Sequence, residues 1–281
     1  MITKVFSSRA GSTALIACAL AATAAAQSSY YGLTYFDNQL IKIDSTTGTG
    51  SLIGTLDQNV NGYGLATSGG SLYTFNPNVD QIQRINPNTA TIAQSYSIGV
   101  SNTLGEGDLA FSSSGAGFLA SSLNGDFSPA NDLYRFDITT GTSTLLAHTS
   151  ATLNGLAFID GTLYGLSKDE NPDLYIVDQT TGNLTLVGSL GIDAGSPIAG
   201  LAANGSGGLF GVLNDRLYNI DATTGAATTV SDNVLDTGFY SVSGLTAIPG
   251  SPVPEPSTYG LLGVFGLAAI ALGRRAKLKS D

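Results

Sequence analysis

A nine-residue pattern of alternating apolar and polar positions, closed by a small-residue turn, recurs five times along the chain: Leu40–Gly48 (LIKIDSTTG), Ile82–Ala90 (IQRINPNTA), Leu133–Gly141 (LYRFDITTG), Leu174–Gly182 (LYIVDQTTG) and Leu217–Gly225 (LYNIDATTG). The copies start 42, 51, 41 and 43 residues apart. Alternation with period two predicts a strand with one buried face. The Asp or Asn at the end of each strand can accept backbone N–H bonds from the residues ahead of it. The closing Gly, present in four of the five copies, suits the positive φ of a bulged hairpin loop. Threonines then open a further strand, as in Thr185-Leu186-Val187-Gly188.

Two more apolar stretches accompany each block. One is a Leu-Tyr-like strand: Tyr30–Leu33, Leu72–Phe75, Phe118–Ser121, Leu163–Leu166 and Leu209–Val212. The other is a Gly-Leu-Ala-like strand: Gly64–Ala66, Asp108–Ala110, Gly155–Ala157, Gly200–Ala202 and Gly244–Thr246. Its small residues fit an innermost strand, where blades would crowd a central axis. Periods of about 40 to 50 residues suit one four-stranded propeller blade. The first repeat lacks the Gly-Leu-Ala strand, and a surplus copy near Val242–Ile248 has no repeat after it. A C-terminal strand that completes the N-terminal blade resolves both, leaving only short protected edges. The expected fold is therefore all-β, a five-bladed β-propeller of four-stranded blades over residues 27–250. Six blades, should the long third repeat hide irregular strands, and an open solenoid are the alternatives. In strand order the region resembles bacterial propellers with YVTN- or NHL-like repeats, a resemblance that carries no site with it.

The two ends read differently. Lys4 and Arg9 precede an Ala- and Leu-rich run from Ser12 to Ala26, the layout of a secretory signal peptide over residues 1–26. Ala24 and Ala26 supply the small side chains signal peptidase requires, with cleavage expected before Gln27. Leu15-Ile16-Ala17-Cys18 also resembles a lipobox, but the apolar stretch ahead of Cys18 is short for a signal core. At the other end, residues 251–281 run from Val253-Pro254-Glu255-Pro256 into an apolar stretch from Gly260 to Leu272. Arg274, Arg275, Lys277 and Lys279 follow it. A short membrane helix over about residues 258–273 is expected, with the basic residues on the cytoplasmic side and the large domain outside.

This order, a Pro-Glu-Pro motif, a short hydrophobic helix and a terminal basic cluster, closely resembles the PEP-CTERM sorting signal. The resemblance implies recognition by an exosortase, a membrane transpeptidase-like protease of Gram-negative bacteria that make extracellular polysaccharide. It also implies removal or exchange of the tail after export. A permanent tail anchor is the other reading of the same residues.

Charge narrows the partners. Between residues 27 and 250 there are nineteen acids against five lysines and arginines. Such a domain repels nucleic acid and anionic lipid. The sole cysteine, Cys18, lies in the signal, so an exported domain depends on its core rather than on disulfides.

Few groups can carry chemistry. The domain has one histidine, His148, at the end of the expected outer strand Thr144–His148, and reads there as a surface residue. Sites that need several imidazoles or thiolates are excluded. On this ground the domain is expected not to be an enzyme.

Carboxylates are more plentiful. The loops between second and third strands should open on the same face as the crossovers between blades, gathering Asp37, Asp80, Asp126, Asp132, Asp169, Glu170, Asp173 and Asp215. Asn76, Asn78, Asn124 and Asn171 lie among them, with Tyr35, Phe36 and Phe127 able to stack on sugar rings. Such a face could bind calcium or sugar hydroxyls, although no segment has the spacing of a known calcium loop, and no resident cofactor is required. The expected function is that of an exported, exosortase-sorted surface or matrix protein, its partners being exosortase, signal peptidase and an exopolysaccharide or surface protein. A secreted propeller lyase or glycosidase acting on polysaccharide, and a membrane-anchored structural protein, are the alternatives.

Overall fold

Each repeat of the sequence becomes one antiparallel sheet. In chain order the strands are β1 (Ser29–Thr34), β2 (Gln39–Asp44) and β3 (Gly50–Thr55), then β4 (Tyr63–Ser68), β5 (Ser71–Asn76), β6 (Gln81–Asn86) and β7 (Thr91–Ser97). Next come β8 (Leu109–Phe111), β9 (Gly117–Ser122), β10 (Asn131–Asp137) and β11 (Thr142–His148). These are followed by β12 (Leu153–Ile159), β13 (Thr162–Ser167), β14 (Asp173–Val177) and β15 (Leu184–Ser189). The last are β16 (Ala199–Ala203), β17 (Leu209–Leu213), β18 (Arg216–Ile220), β19 (Ala227–Ser231) and β20 (Val242–Ala247). The computed structural model describes residues 29–60, 63–100, 107–122, 131–195, 199–232 and 241–248. The expected signal peptide with Cys18, the sorting tail with its membrane helix, and Asn124, Asp126 and Phe127 fall outside them. No helix among the described residues is long and apolar enough to cross a membrane.

The sheets are β4–β7, β8–β11, β12–β15, β16–β19 and the composite β20-β1-β2-β3, so the described strands make five blades of four. Closure is as the surplus strand predicts, with β20 pairing antiparallel to β1 from Tyr30 opposite Ala247 to Leu33 opposite Gly244. The core is divided the same way into five apolar clusters, one at each blade-to-blade interface. Period-two alternation makes this unavoidable, because successive residues of a blade face its two neighbours in turn.

The third blade departs from the sequence alignment by one residue. Its first two strands are joined by the five residues Ser112–Ala116, closed by a Ser112 N–H to Ala116 carbonyl bond of 2.9 Å, where blade 4 has the two-residue turn Asp160-Gly161. Ala110 therefore pairs with Phe118, as Ala157 pairs with Tyr164. Phe118, rather than Leu119, takes the Tyr position of the repeat, and Ser121 falls where blade 4 has Ser167.

The hairpin turns at the far side of each blade follow the chemistry read from the sequence. Asp44 Oδ1 accepts from the N–H groups of Thr46 (2.8 Å) and Thr47 (3.2 Å), and Asp137, Asp178 and Asp221 repeat the arrangement. The closing residue has φ of 70° at Gly48 and 54° at Ala90, the copy that lacks Gly. Ala90 is tolerated because its Cβ sits over Gly54 of the preceding blade.

At the axis the innermost strands converge on Asp108. Its Oδ1 accepts from the N–H groups of Leu109 (2.8 Å) and Leu65 (3.2 Å), and its Oδ2 from Leu156 (2.8 Å). A further N–H bond comes from Leu201. The four other blades carry Gly at this position, and a side chain at Gly64 would collide with Asp108 itself. Beyond the carboxylate the inner strands line an axial cavity of about 130 Å³, walled largely by Leu and Ala.

Two outcomes test this account. Replacing Asp108 with Ala in the full-length chain leaves buried N–H groups without an acceptor and should cost about 3 kcal/mol of unfolding free energy, with Asn only partly restoring it because its amide turns donors toward donors. Denaturant unfolding measures both, and an Asp108→Ala variant as stable as the parent contradicts the hub. The turn aspartates predict the acid limb. The hydroxyl and N–H of Thr46 hold Asp44 below the usual carboxylate range, those of Thr139 and Thr223 do the same for Asp137 and Asp221, and the N–H groups of Thr181 and Thr180 for Asp178. Groups lowered in the fold stabilise it above their unfolded pKa of about 4 and lose that contribution as pH falls through the lowered values. Changing all four to Asn should flatten the fall in stability below about pH 4, while the Asn86 turn already lacks a titrating group.

Candidate functional site

In every blade the connection between second and third strands opens on the side where the chain crosses to the next blade, because the strands alternate in direction. Among the described residues the expected acids lie on that side but in different settings. Asp37 is exposed next to Phe36, which is 66 % exposed, and the Tyr35 ring stands edge-on to Phe36 at 4.9 Å. Asp80 ends the tight turn that presents Val79 to solvent. The asparagines hold the crossover in place. Asn38 Oδ1 accepts from Val60 N–H at 2.8 Å, and Asn78 Nδ2 donates to the Asn59 carbonyl at 2.9 Å. Asn76 is buried and donates to Gln83 Oε1 at 3.2 Å.

Three consecutive blades place a Tyr two residues after the residue that precedes the repeated Leu of the third strand, Asp132, Asp173 or Arg216, so both side chains share one face. In blade 4 the Tyr175 hydroxyl donates to Asp173 Oδ2 at 3.4 Å, with Asp169 and Glu170 exposed in the adjoining turn. In blade 5 the charge is inverted. Arg216 hydrogen-bonds Tyr218, and a polar notch of about 190 Å³ is lined by Asp193, Asn214, Asp215, Arg216 and Tyr218.

Blade 3 is the most elaborate. Asp132 is buried, its side chain 2 % exposed, and its Oδ1 is in short contact with Nδ1 of His148, whose side chain is 66 % exposed. The Tyr134 hydroxyl donates to Asp132 Oδ2 at 3.4 Å. Burial, with Asp132 second, pushes Tyr134 up to about 12. Ser121 stands opposite Asp132 on the neighbouring strand, and its buried hydroxyl has no hydrogen-bond partner among the described residues. Ser167 at the same place in blade 4 accepts from Asp173 N–H at 2.9 Å. In blade 3 the ladder continues to Asn131 opposite Ser122, so that Ser121 has lost this role. Across the sheet the order is Ser121, Asp132, His148, with the carboxylate in the middle, and a serine–histidine relay is not formed in this row.

Among the described residues no three His, Cys, Asp or Glu side chains gather in a way that could hold a metal ion. The sequence reading treated His148 as a bare surface group. The structure gives it a buried carboxylate partner.

Comparison with known proteins agrees with both halves of the chain. Residues 252–277 match the PEP-CTERM protein-sorting motif, and residues 123–238 match a repeat of unknown function, DUF6923. No curated protein matches the chain. Among solved structures, a candidate gluconolactonase is 15 % identical with a TM-score of 0.51, over 77 % of this chain and 80 % of its own. A chain of a nidogen/laminin complex is 14 % identical with a TM-score of 0.50, over 78 % and 80 %. A gluconolactonase from Xanthomonas campestris is 17 % identical with a TM-score of 0.47, over 72 % and 75 %. At such identities the likeness shows the fold alone. The chain thus carries a PEP-CTERM motif behind a five-bladed propeller, and the motif marks it for export and membrane-anchored sorting by an exosortase.

One expectation is corrected. A shortage of histidine and cysteine was taken to make the domain non-enzymatic, yet the same fold is shared with the candidate gluconolactonase, so the shortage does not exclude chemistry.

Proposed function

We propose that the protein is displayed at the cell surface or in the extracellular matrix after exosortase sorting, and that the crossover face of its propeller binds neutral polysaccharide. The match of residues 252–277 to the sorting motif carries the first half of this reading. The exposed Phe36, propped edge-on by Tyr35 and flanked by Asp37, supports the second. An aromatic face offers apolar surface to a sugar ring while a carboxylate accepts from its hydroxyls. The excess of acids in the domain disfavours anionic polymers and leaves neutral ones as the fitting ligand.

Intact mass in the native host tests the sorting. In cells with exosortase the mature protein should lack Met1–Ala26 and the residues beyond Pro254-Glu255-Pro256. Without exosortase the C-terminal segment should remain, and a segment retained in both strains identifies a plain anchor. Retention in the matrix tests the binding. Phe36→Ala should release the protein into the medium several-fold more readily with unchanged processing, and undiminished retention contradicts a role for this face.

A further inference from the structure

The row Ser121–Asp132–His148 supports a second activity that does not depend on polysaccharide binding. We infer that His148, oriented by Asp132, is a general base for the hydrolysis of uncharged carboxylic esters at the crossover end of blade 3. Three observations carry this. Asp132 is nearly inaccessible and its carboxylate meets Nδ1 of His148, so the proton of the neutral ring is held on Nδ1 and Nε2 is the basic nitrogen of an exposed imidazole. The β-bulge between Leu133 and Tyr134 has a counterpart between the third and fourth strands of every blade, and in blade 3 the residue it brings opposite the buried Asp132 is His148 rather than Ala147. The Ser121 hydroxyl, buried and unpartnered on the same sheet face, offers a free hydrogen-bonding group next to the pair.

The face itself is determined by the core. Tyr134 and Phe136, two and four residues beyond Asp132, pack with Ile82 and Ile98 of the preceding blade, so the row looks toward blade 2. The chemistry needs only water. Nε2 of His148 takes a proton as the water oxygen bonds to the ester carbonyl carbon. The imidazolium then returns that proton to the alkoxy oxygen as the carbon–oxygen bond breaks, and a carboxylic acid and an alcohol leave. Asp132 touches no substrate and acts as a positioning residue. The net negative charge of the domain disfavours anionic esters.

The test uses the full-length chain purified in detergent, with p-nitrophenyl acetate and p-nitrophenyl succinate as probes and 4-methylimidazole at equal concentration as the reference. The acetate ester should be cleaved about 100-fold faster than by the free imidazole, the gain expected of a positioned base. The anionic succinate ester should react more slowly than the acetate. His148→Gln should remove the activity while leaving the unfolding midpoint near that of the parent. Asp132→Asn should lower kcat for the acetate ester with little change in KM, a split that a merely structural carboxylate would not produce. A parent rate no greater than that of free imidazole, or a His148→Gln variant of full activity, overturns the inference whatever the outcome of the retention experiment.

Discussion

Backbone N–H groups from the innermost strands of four blades point at the Asp108 carboxylate, and the rest of the propeller is arranged around that fact. Leu65, Leu109, Leu156 and Leu201 occupy the same position in successive repeats, so the one side chain of Asp108 binds backbone up to 93 residues away from it. Burial pushes the carboxyl well up, while the four N–H bonds pull the other way. A group raised in the fold stabilises it below an unfolded pKa of about 4 and opposes it as pH rises through the raised value. The turn aspartates have the opposite sign, and acid therefore relieves the hub while it weakens the rim.

The hub also explains the glycines. A carboxylate can occupy the axis only once, and the other blades must bring bare backbone to it. Gly200 lies against the backbone of Gly244 and Leu245, and Gly244 against that of Gly64 and Leu65, too close for any side chain. The closing strand β20 supplies no N–H bond to Asp108 that is seen here, and its place is set by the ladder to β1 and by packing of Leu245 with Tyr30 and Ile43. Closure and hub are thus separate constraints on the same ring.

Much of this was legible in the sequence because it repeats. Four copies of Asp-x-Thr-Thr-Gly announce the same turn, and a missing strand at one end with a spare at the other announces closure. What could not be read is the strand register and what breaks the repeat. From the hairpin end, Asp137 opposite Thr142, an unbroken ladder would place Asp132 opposite Ala147 and turn His148 to the other face. A bulge shared by the third and fourth strands of all five blades reverses that, because a shift of one position moves a side chain across the sheet. The five-residue connection Ser112–Ala116 likewise displaced the alignment of β9 by one, hiding the match of Ser121 to Ser167. Burial of Asp132 was equally invisible, since the corresponding Asp173 is only half-buried and Arg216 is exposed.

The departures from symmetry are where chemistry can reside. Five equivalent notches would present five equivalent surfaces, suited to a repetitive ligand but not to a reaction. At the residue before the repeated Leu or Ile of the third strand the chain instead places Gln39, Gln81, Asp132, Asp173 and Arg216. Among these, a buried carboxylate beside an imidazole occurs in blade 3 and a guanidinium facing carboxylates in blade 5. A buried carboxylate left without donors would bear a desolvation cost, which the Tyr134 hydroxyl and a hydrogen-bonding residue at position 148 offset. A costly pair held at one notch of an otherwise regular ring is better explained by what the exposed imidazole does than by what it stabilises.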